Sequence, residues 1–582
     1  MNPDWLLRHF EQISEAPEAV SRLRRFILDL AVRGKLVEQD PNDEPAVELL
    51  KRIGEEKKRL AKEGIRKEKV LPPVSEEEPP FQIPRIWQWS RLAEVGFVNP
   101  RNSADDGLQT SFVPMPLISA DYGMPNSHEV RPWGDIKSGY THFAEGDVAL
   151  AKITPCFENG KSTVFRGLTG GIGAGTTELH VLRPVIINPD YVLVFLKCPH
   201  FIENGIPRMT GTAGQKRVPT EYFACSPFPL PPLAEQHRIV AKVDELMALC
   251  DKLEATQAKR ERRRGRLVAA TLHGLNNGDA NPETGTSSTF QESARFYFNH
   301  LPRLTIRPEH IHQLRQTILN LAVQGKLVKQ NTEDESSNLL LSEIRNMRIS
   351  VANRSENSEE DNSNQKFFQH LPKPIPSNWT MCALEELFRF IDYRGRTPTR
   401  TRTGVRLVTA KNVRMGYIND EPIEFVDEGL YGKWMTRGFP RTGDLLFVTE
   451  GATIGYVGML DFSFKFVLAQ RTINLQPYLP GYNRFFLFFL MSPLFQAAVL
   501  TNSTGTAARG IKAAKLKKIR VLLPPLAEQN RIVAKVDELM ALCDELEARL
   551  TTTATTRRQL FEATLQEALF GKHTIQEDSY EN

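Results

Sequence analysis

The sequence predicts an α+β protein made by tandem duplication: two mixed α/β globular units and two long helices, related by an internal pseudo-two-fold. Three observations carry this. Residues 230–255, LPPLAEQHRIVAKVDELMALCDKLEA, recur as 523–548 with differences only at His237/Asn530 and Lys252/Glu545. ILDLAVRGKLVEQ at 27–39 recurs as ILNLAVQGKLVKQ at 318–330. Ahead of each long repeat lie short alternating strands broken by Gly, Pro and Asn, such as GDVALAKI at 146–153 and GDLLFVTE at 443–450.

The 26-residue repeat has helical periodicity. Ile239, Val243, Leu246, Cys250 and Leu253 are spaced by four and three, as are Ile532, Val536, Leu539, Cys543 and Leu546. That is a heptad seam, expected to pack along another helix as a coiled coil, and the obvious partner of each copy is the other. Pro231-Pro232 and Pro524-Pro525 stand where a helix start tolerates proline. Arg264, Leu267, Thr271 and Leu272 match Arg557, Leu560, Thr564 and Leu565 further on. A continuous helix from Leu233 to Leu272 would be roughly 60 Å long.

Taken in order, residues 1–82 read as a helical segment. An amphipathic helix over 18–38 carries Leu23, Phe26, Ile27 and Leu30 on one face, with Gly34 as its stop. A charged helix runs to about Gly64, and a proline-rich linker follows. Residues 83–229 form the first globular unit, opening on Ile83-Pro84-Arg85-Ile86-Trp87, and 371–522 the second, opening on Ile375-Pro376-Ser377-Asn378-Trp379. The long helices take 230–275 and 523–573. Between the repeats come a linker at 276–305 and a second helical segment with a polar loop at 306–370; a tail closes the chain at 574–582. The polar stretches 276–294 and 350–366 read as linkers or loops.

Composition narrows the class. With 41% hydrophobic and 25% charged residues and a net charge of +4, the chain reads as ordinary soluble protein whose bulk charge announces no partner. Six cysteines without a C-x-x-C pair argue against a zinc module or a disulfide framework and fit a reducing cytoplasm. The apolar run FFLFFLM at 485–491 is far too short for a bilayer, so no membrane is expected.

Local charge points to nucleic acid. Residues 393–414, YRGRTPTRTRTGVRLVTAKNVR, hold Arg394, Arg396, Lys411 and Arg414 among seven cations and no acid. GIKAAKLKKIR at 510–520 adds Lys512, with Arg509 just before it. In the first unit Gln215, Lys216 and Arg217 flank a Gly-Thr-Ala turn, and Lys152 ends GDVALAKI. Basic loops with small and amide residues suit phosphate contacts and base-edge reading, so these ten residues are the DNA-binding candidates. A duplicated coiled-coil scaffold without DNA reading is the alternative. The long helices are nearly identical while the globular units share only anchors. Equivalent surfaces for equivalent partners, with unlike heads for two unlike half-sites, would have that form.

Enzyme motifs fail on inspection. Gly160-Lys161-Ser162 resembles the end of a phosphate-binding loop, but Pro155 stands where its first glycine is needed. GGIGAG at 170–175 reads as a loop rather than a nucleotide turn. Asn188-Pro189-Asp190-Tyr191 lacks the second proline that an adenine methyltransferase motif would need, and no histidine cluster suggests a metal. Trp87 and Trp379 read as core anchors, and Cys250 and Cys543 as small seam residues.

The doubled PPLAEQ helix, the two GKLV segments and the IP-x-x-W openings resemble the specificity (S) subunit of type I restriction–modification systems, over nearly the whole chain. The resemblance implies two target recognition domains, each reading one half of a split DNA sequence, and two antiparallel helices acting as a ruler between them. It implies two methyltransferase (M) subunits that methylate adenine N6 with S-adenosylmethionine, and two restriction (R) subunits that use ATP and Mg. On that reading this chain binds no cofactor or metal and has no active site. The first unit departs from the second: its matching stretch, SFVPMPLISADYG, is almost uncharged.

Overall fold

The computed structural model describes residues 18–62, 74–75, 78–212, 214–277, 288–352, 375–393, 398–462, 464–469, 471–505 and 509–570. The chain divides into two compact units, Met1–Arg260 with Ala554–Asn582, and Glu261–Thr553. Each unit thus holds the first part of one long helix and the last part of the other. The helices themselves are Leu233–Asn277 and Leu526–Phe570, 45 residues each, or about 68 Å at 1.5 Å per residue.

In unit 1 the amphipathic helix forms over Ala19–Val32 and ends where Gly34 takes φ +65°. The charged helix is Ala46–Lys62. Ion pairs show the directions of the helices that pack together. Arg24 binds Asp251 and Glu254 at 2.6 and 2.7 Å, whereas Asp43, further along the chain, binds Arg238 at 2.6 Å. The segment therefore runs antiparallel to 233–260. Arg22 pairs with Glu562 and Lys35 with the Leu569 carbonyl, so the same segment runs parallel to 554–570. Unit 2 repeats the pattern: Arg315 with Asp544 (2.5 Å) and Asp334 with Arg531 (2.5 Å) set Pro308–Val323 antiparallel to 526–553. His310 near Glu261 (3.7 Å) and Lys326 on the Asn276 carbonyl set it parallel to 261–277. Within each unit, then, the two long-helix portions are antiparallel.

The heptad seam has a partner other than the one its repetition suggested. Ile239, Val243 and Cys250, with Leu246 and Leu253 at the margin, share a core with Val20, Ile27, Leu28 and Ala31 of the amphipathic helix. Ile532, Val536 and Cys543, with Leu539 and Leu546, share one with Ile311, Leu314 and Ile318. Each apolar stripe is covered inside its own unit because the amphipathic helix of the same repeat brings a matching stripe. Further out, the last part of each long helix meets the same segment: Phe561 packs on Ala19, and Val268 and Leu272 lie in the core of unit 2.

Each globular domain is opened and closed by one antiparallel ribbon, Gln88–Arg91 with Pro227–Leu230 in unit 1 and Thr380–Ala383 with Arg520–Leu523 in unit 2. Inside unit 1, Gly96–Val98, Leu179–Pro184, Val148–Ala151 and Ser162–Val164 form an antiparallel sheet. A second sheet orders Glu129–Pro132, Gln109–Val113, Ile172–Gly175 and Thr141–Ala144. GGIGAG therefore enters a strand rather than a loop. Close approach requires glycine at 173 and 175, where a Cβ would lie 2.3 Å from the carbonyl oxygens of Ser111 and Val113. In unit 2 Phe388–Asp392, Thr472–Pro477, Leu445–Val448, Val457–Met459 and Gly416–Tyr417 form one sheet, and Arg400–Thr401, Glu424–Val426, Val405–Val408 and Phe466–Leu468 the other.

The short apolar helices Pro189–Lys197 and Asn483–Met491 are buried in these cores. Asn188 caps the first through its side chain, accepting from the Asp190 N–H, which gives Asn-Pro-Asp-Tyr a structural reason. No single helix among the described residues is long and apolar enough to cross a membrane. The expected linker at 276–305 instead contains a helix, Ser288–Leu304, anchored by the buried Tyr297 whose hydroxyl meets Thr305. Ser337–Ala352 is likewise helical; 353–374, with most of the predicted polar loop, lies outside the described residues.

Candidate nucleic-acid interface

Three sequence motifs that lie far apart meet at one carboxylate in unit 1. Glu235 of PPLAEQ is fully buried and accepts from the Trp87 indole N–H (2.9 Å) and from the Gln39 amide (2.6 Å). Gly34 lies under the same tryptophan: a Cβ there would be 2.4 Å from Pro84 Cγ. In unit 2 Glu528 accepts from Gln330 (2.6 Å) and Asn378 (3.3 Å), and a Cβ on Gly325 would be 2.7 Å from Pro376. Burial raises the pKa of both carboxyls. The GKLV-x-Q, IP-x-x-W and PPLAEQ repeats are thus one joint, which fixes each domain to its long helix. Trp87 and Trp379 belong to this joint and are buried, as core anchors.

Beyond the joint, each domain carries the same backbone ladder. In unit 1 the Lys152 N–H donates to Glu178 O (2.9 Å), the Val218 N–H to Lys152 O (2.8 Å) and the Thr154 N–H to Lys216 O (2.9 Å). In unit 2 Thr449 donates to Arg471 O (2.8 Å), Ile511 to Thr449 O (2.8 Å) and Gly451 to Arg509 O (2.9 Å). The rungs correspond one to one, because Leu150↔His180 and Phe447↔Ile473 hold the same place in the two sheets. The ladder ties down a loop closed at Thr210↔Arg217 in one unit and Thr504↔Gly510 in the other.

Four of the nominated residues, Lys152, Gln215, Lys216 and Arg217, meet on the unit 1 ladder. Gln215 and Lys216 are exposed at the loop. Arg217 forms a two-bond pair with Glu178, Nε to Oε2 and Nη2 to Oε1 each at 2.8 Å, and that guanidinium holds the Glu178 carboxyl below its ordinary pKa. His180, one rung inward, is buried and donates its Nε2–H to the Val218 carbonyl at 3.0 Å; burial pulls its pKa down to about 4, so it donates as the neutral imidazole.

In unit 2 Arg509 is exposed on the matching ladder and Lys512 is exposed just beyond it. Lys411 and Arg414 lie elsewhere, between the strands Val405–Val408 and Gly416–Tyr417. Arg394 and Arg396 lie outside the described residues. The arginine-rich stretch has acids after all, supplied by its neighbours in space: Glu424 faces Arg400 (3.2 Å) and Lys411 (3.6 Å), and Asp420 faces Arg406 (3.1 Å). Arg414 donates to the carbonyls of Lys411 and Val413. The 393–414 run is therefore partly neutralised by chain that follows it.

Sequence reasoning missed Glu178, Arg471 and Glu450. Nothing local marks them; they emerge only when the strands are aligned by register.

A family model described as Type I restriction modification DNA specificity domain matches residues 376–555. The EcoAI specificity subunit of Escherichia coli is 36% identical over 560 residues, covering 94% of each chain. The chain belongs to the type I restriction enzyme specificity subunits. The EcoEI specificity subunit of Escherichia coli is 35% identical over 573 residues, again 94% of both chains. A solved chain from work on complex assembly and conformational transition of the type I R-M system has a TM-score of 0.50 at 18% identity, covering 84% of this chain and all of that one, which supports the fold. As a type I specificity subunit, the chain supplies the DNA specificity domain of a restriction–modification complex. The family model spans the second domain; the ladder and joint recur in the first.

Proposed function

We propose that this specificity subunit reads an asymmetric two-part DNA site, one half with each globular domain, while M and R subunits perform adenine-N6 methylation and ATP-dependent restriction. The observation that carries this reading is the repeated ladder with different side chains: one backbone frame, presented twice, with Lys152, Glu178 and Arg217 on one copy and Thr449, Arg471 and Gly510 on the other. Duplicate frames bind equivalent partners, and unlike surfaces on them read unlike sequences. S-adenosylmethionine, ATP and Mg are assigned to the partners and the chain itself to no catalysis. We assign two M and two R subunits to each complex, which the two-fold repeat supports, and place the complex in the cytoplasm.

Exchanging residues 88–230 for those of another specificity subunit tests the reading. Half-site one of the assembled methyltransferase should change and half-site two should not; a change in both, or in neither, rejects the assignment. The chain purified alone should show no methyl transfer, ATPase or nuclease activity. The long helices are proposed to set the spacing, so a heptad added to both should lengthen the unspecified gap and leave the half-sites alone. A scaffold that does not read DNA would show no salt-dependent duplex binding in a titration, because that dependence counts the counterions released by phosphate contacts.

A further inference from the structure

We propose that Arg217 in unit 1 and Arg471 in unit 2 are guanine-reading residues, the first held by Glu178 and the second facing Glu450 at 3.9 Å. The inference rests on the DNA-reading function above and adds the base class and the residue.

A guanidinium has five N–H groups. Arg217 gives Nε–H and one Nη2–H to Glu178 at 2.8 Å each, and one Nη1–H to the Gln215 carbonyl at 3.1 Å. One N–H remains on each terminal nitrogen. Two parallel donors of this kind match the O6 and N7 acceptors of guanine in the major groove, a bidentate pattern no other base presents. The side chain is 42% exposed, enough to reach a ligand, while the carboxylate restricts its rotamers. An arginine restrained in this way loses less conformational freedom on binding than a free one. It stands at the base of an exposed loop, 211–216, whose described residues are small or polar and whose Gly211 (φ +124°) packs its backbone against Gln215.

Unit 2 shows that the ion pair is not there simply to close the loop. The position of Arg217 is Gly510, which has no side chain, and the loop is closed by two backbone hydrogen bonds, Thr504 to Gly510 and back, at 2.9 Å each. Unit 1 has the same two bonds, Thr210 to Arg217 and back, at 3.0 and 2.8 Å. Closure therefore needs no arginine. Yet a guanidinium is present on this ladder as well, moved to the rung of Glu178: Arg471, with Glu450 at 3.9 Å. Arg471 sits at φ +61°, a left-handed conformation uncommon outside glycine, and its carbonyl is fixed by the Thr449 N–H. Such a conformation is costly for a residue with a side chain and persists only where its surroundings hold it, as the Thr449 bond does here. One arginine beside one carboxylate, on different rungs of one frame, would aim the same chemistry at different base steps in the two half-sites.

The test uses the full-length chain assembled with its methyltransferase subunit and a randomised duplex library, from which the base preference at every position of both half-sites is read. Arg217→Lys keeps a cation opposite Glu178 but lacks the planar fork. One guanine of half-site one should lose about tenfold to a hundredfold of its preference, with all other positions and half-site two unchanged. Arg471→Lys should do the same to one guanine of half-site two, and it carries the test alone if Arg217→Lys does not fold. Glu178→Gln should weaken preference at the Arg217 guanine only, as expected of a positioning residue. If Arg217→Lys and Arg471→Lys leave every base preference intact, or lower binding evenly over all sequences, the arginines are structural or phosphate-binding and the proposal is overturned. A wild-type complex with no base preference at all would instead remove the DNA-reading function on which the proposal stands.

Discussion

Asp147 and Asp444 follow glycine at the same place in the two globular domains, and both are buried. Asp147 is met by the Arg183 guanidinium, Nε to Oδ1 at 2.9 Å and Nη2 to Oδ2 at 2.8 Å. Asp444 is met by two amides, Asn474 at 2.7 Å and Gln476 at 3.0 Å, and by the Arg441 N–H. Burial raises the pKa of both carboxyls against these partners. The same carboxylate, one residue ahead of the same strand, is thus satisfied by a charge in one domain and by neutral donors in the other. The comparison separates two regimes in this molecule. At the joint to the long helix, residues repeat almost letter for letter; within the domains, backbone geometry and a few acceptors such as Asp147/Asp444 and Glu94/Glu386 repeat while many of their side-chain partners are exchanged.

The largest expected effect breaks that comparison directly. Asp147→Asn strands the Arg183 charge and should cost about 3–5 kcal/mol, whereas Asp444→Asn loses one charge-assisted set of bonds among amides and should cost about 1–2 kcal/mol. Denaturant unfolding of the two variants measures the gap, and equal losses would show that partner charge does not matter here. The joint comes next. Glu235→Ala orphans Trp87 and Gln39 donors at about 1–3 kcal/mol each, and Glu528→Ala should weaken unit 2 comparably; hydrogen exchange resolves which unit loosens.

A pH response should distinguish the domains. His180, with its pKa drawn down to about 4 by burial, is neutral in the folded chain, while an unfolded histidine protonates near its ordinary value of 6.5. Its contribution is complete above pH 6.5 and is lost as pH falls toward 4, by at most about 3 kcal/mol. Unit 2 has Ile473 on that rung, so exchange protection around 176–218 should fall on acidification before that of the matching strands, and His180→Ile should remove the difference. The smallest effect belongs to the helix-aligning ion pairs. Arg24→Ala and Arg315→Ala remove partly exposed pairs and should each cost no more than about 1 kcal/mol in thermal unfolding.

Much of this architecture was legible beforehand. The duplication, the long helices, the Gly34 stop and the tryptophan anchors follow from repeats and periodicity, which are properties of contiguous chain. The partner of the seam, the setting of GGIGAG and the neutralised arginines depend on what lies across space, whereas the helix Ser288–Leu304 inside the expected linker is local. The heptad seam is covered by the amphipathic helix of its own repeat. GGIGAG became a strand because Ser111 and Phe143 crowd it. The arginine-rich stretch of the second domain is partly neutralised because Glu424 and Asp420 stand beside its arginines.

By itself, then, the amino-acid order determined that this protein is one frame used twice, since near-identity over 26 residues needs no coordinates to be seen. Tertiary structure alone decided which polar groups stand on equivalent rungs. Glu178 with Arg217, and Glu450 with Arg471, are brought together by strand register, and register is set by side chains packing across a sheet rather than by neighbours along the chain.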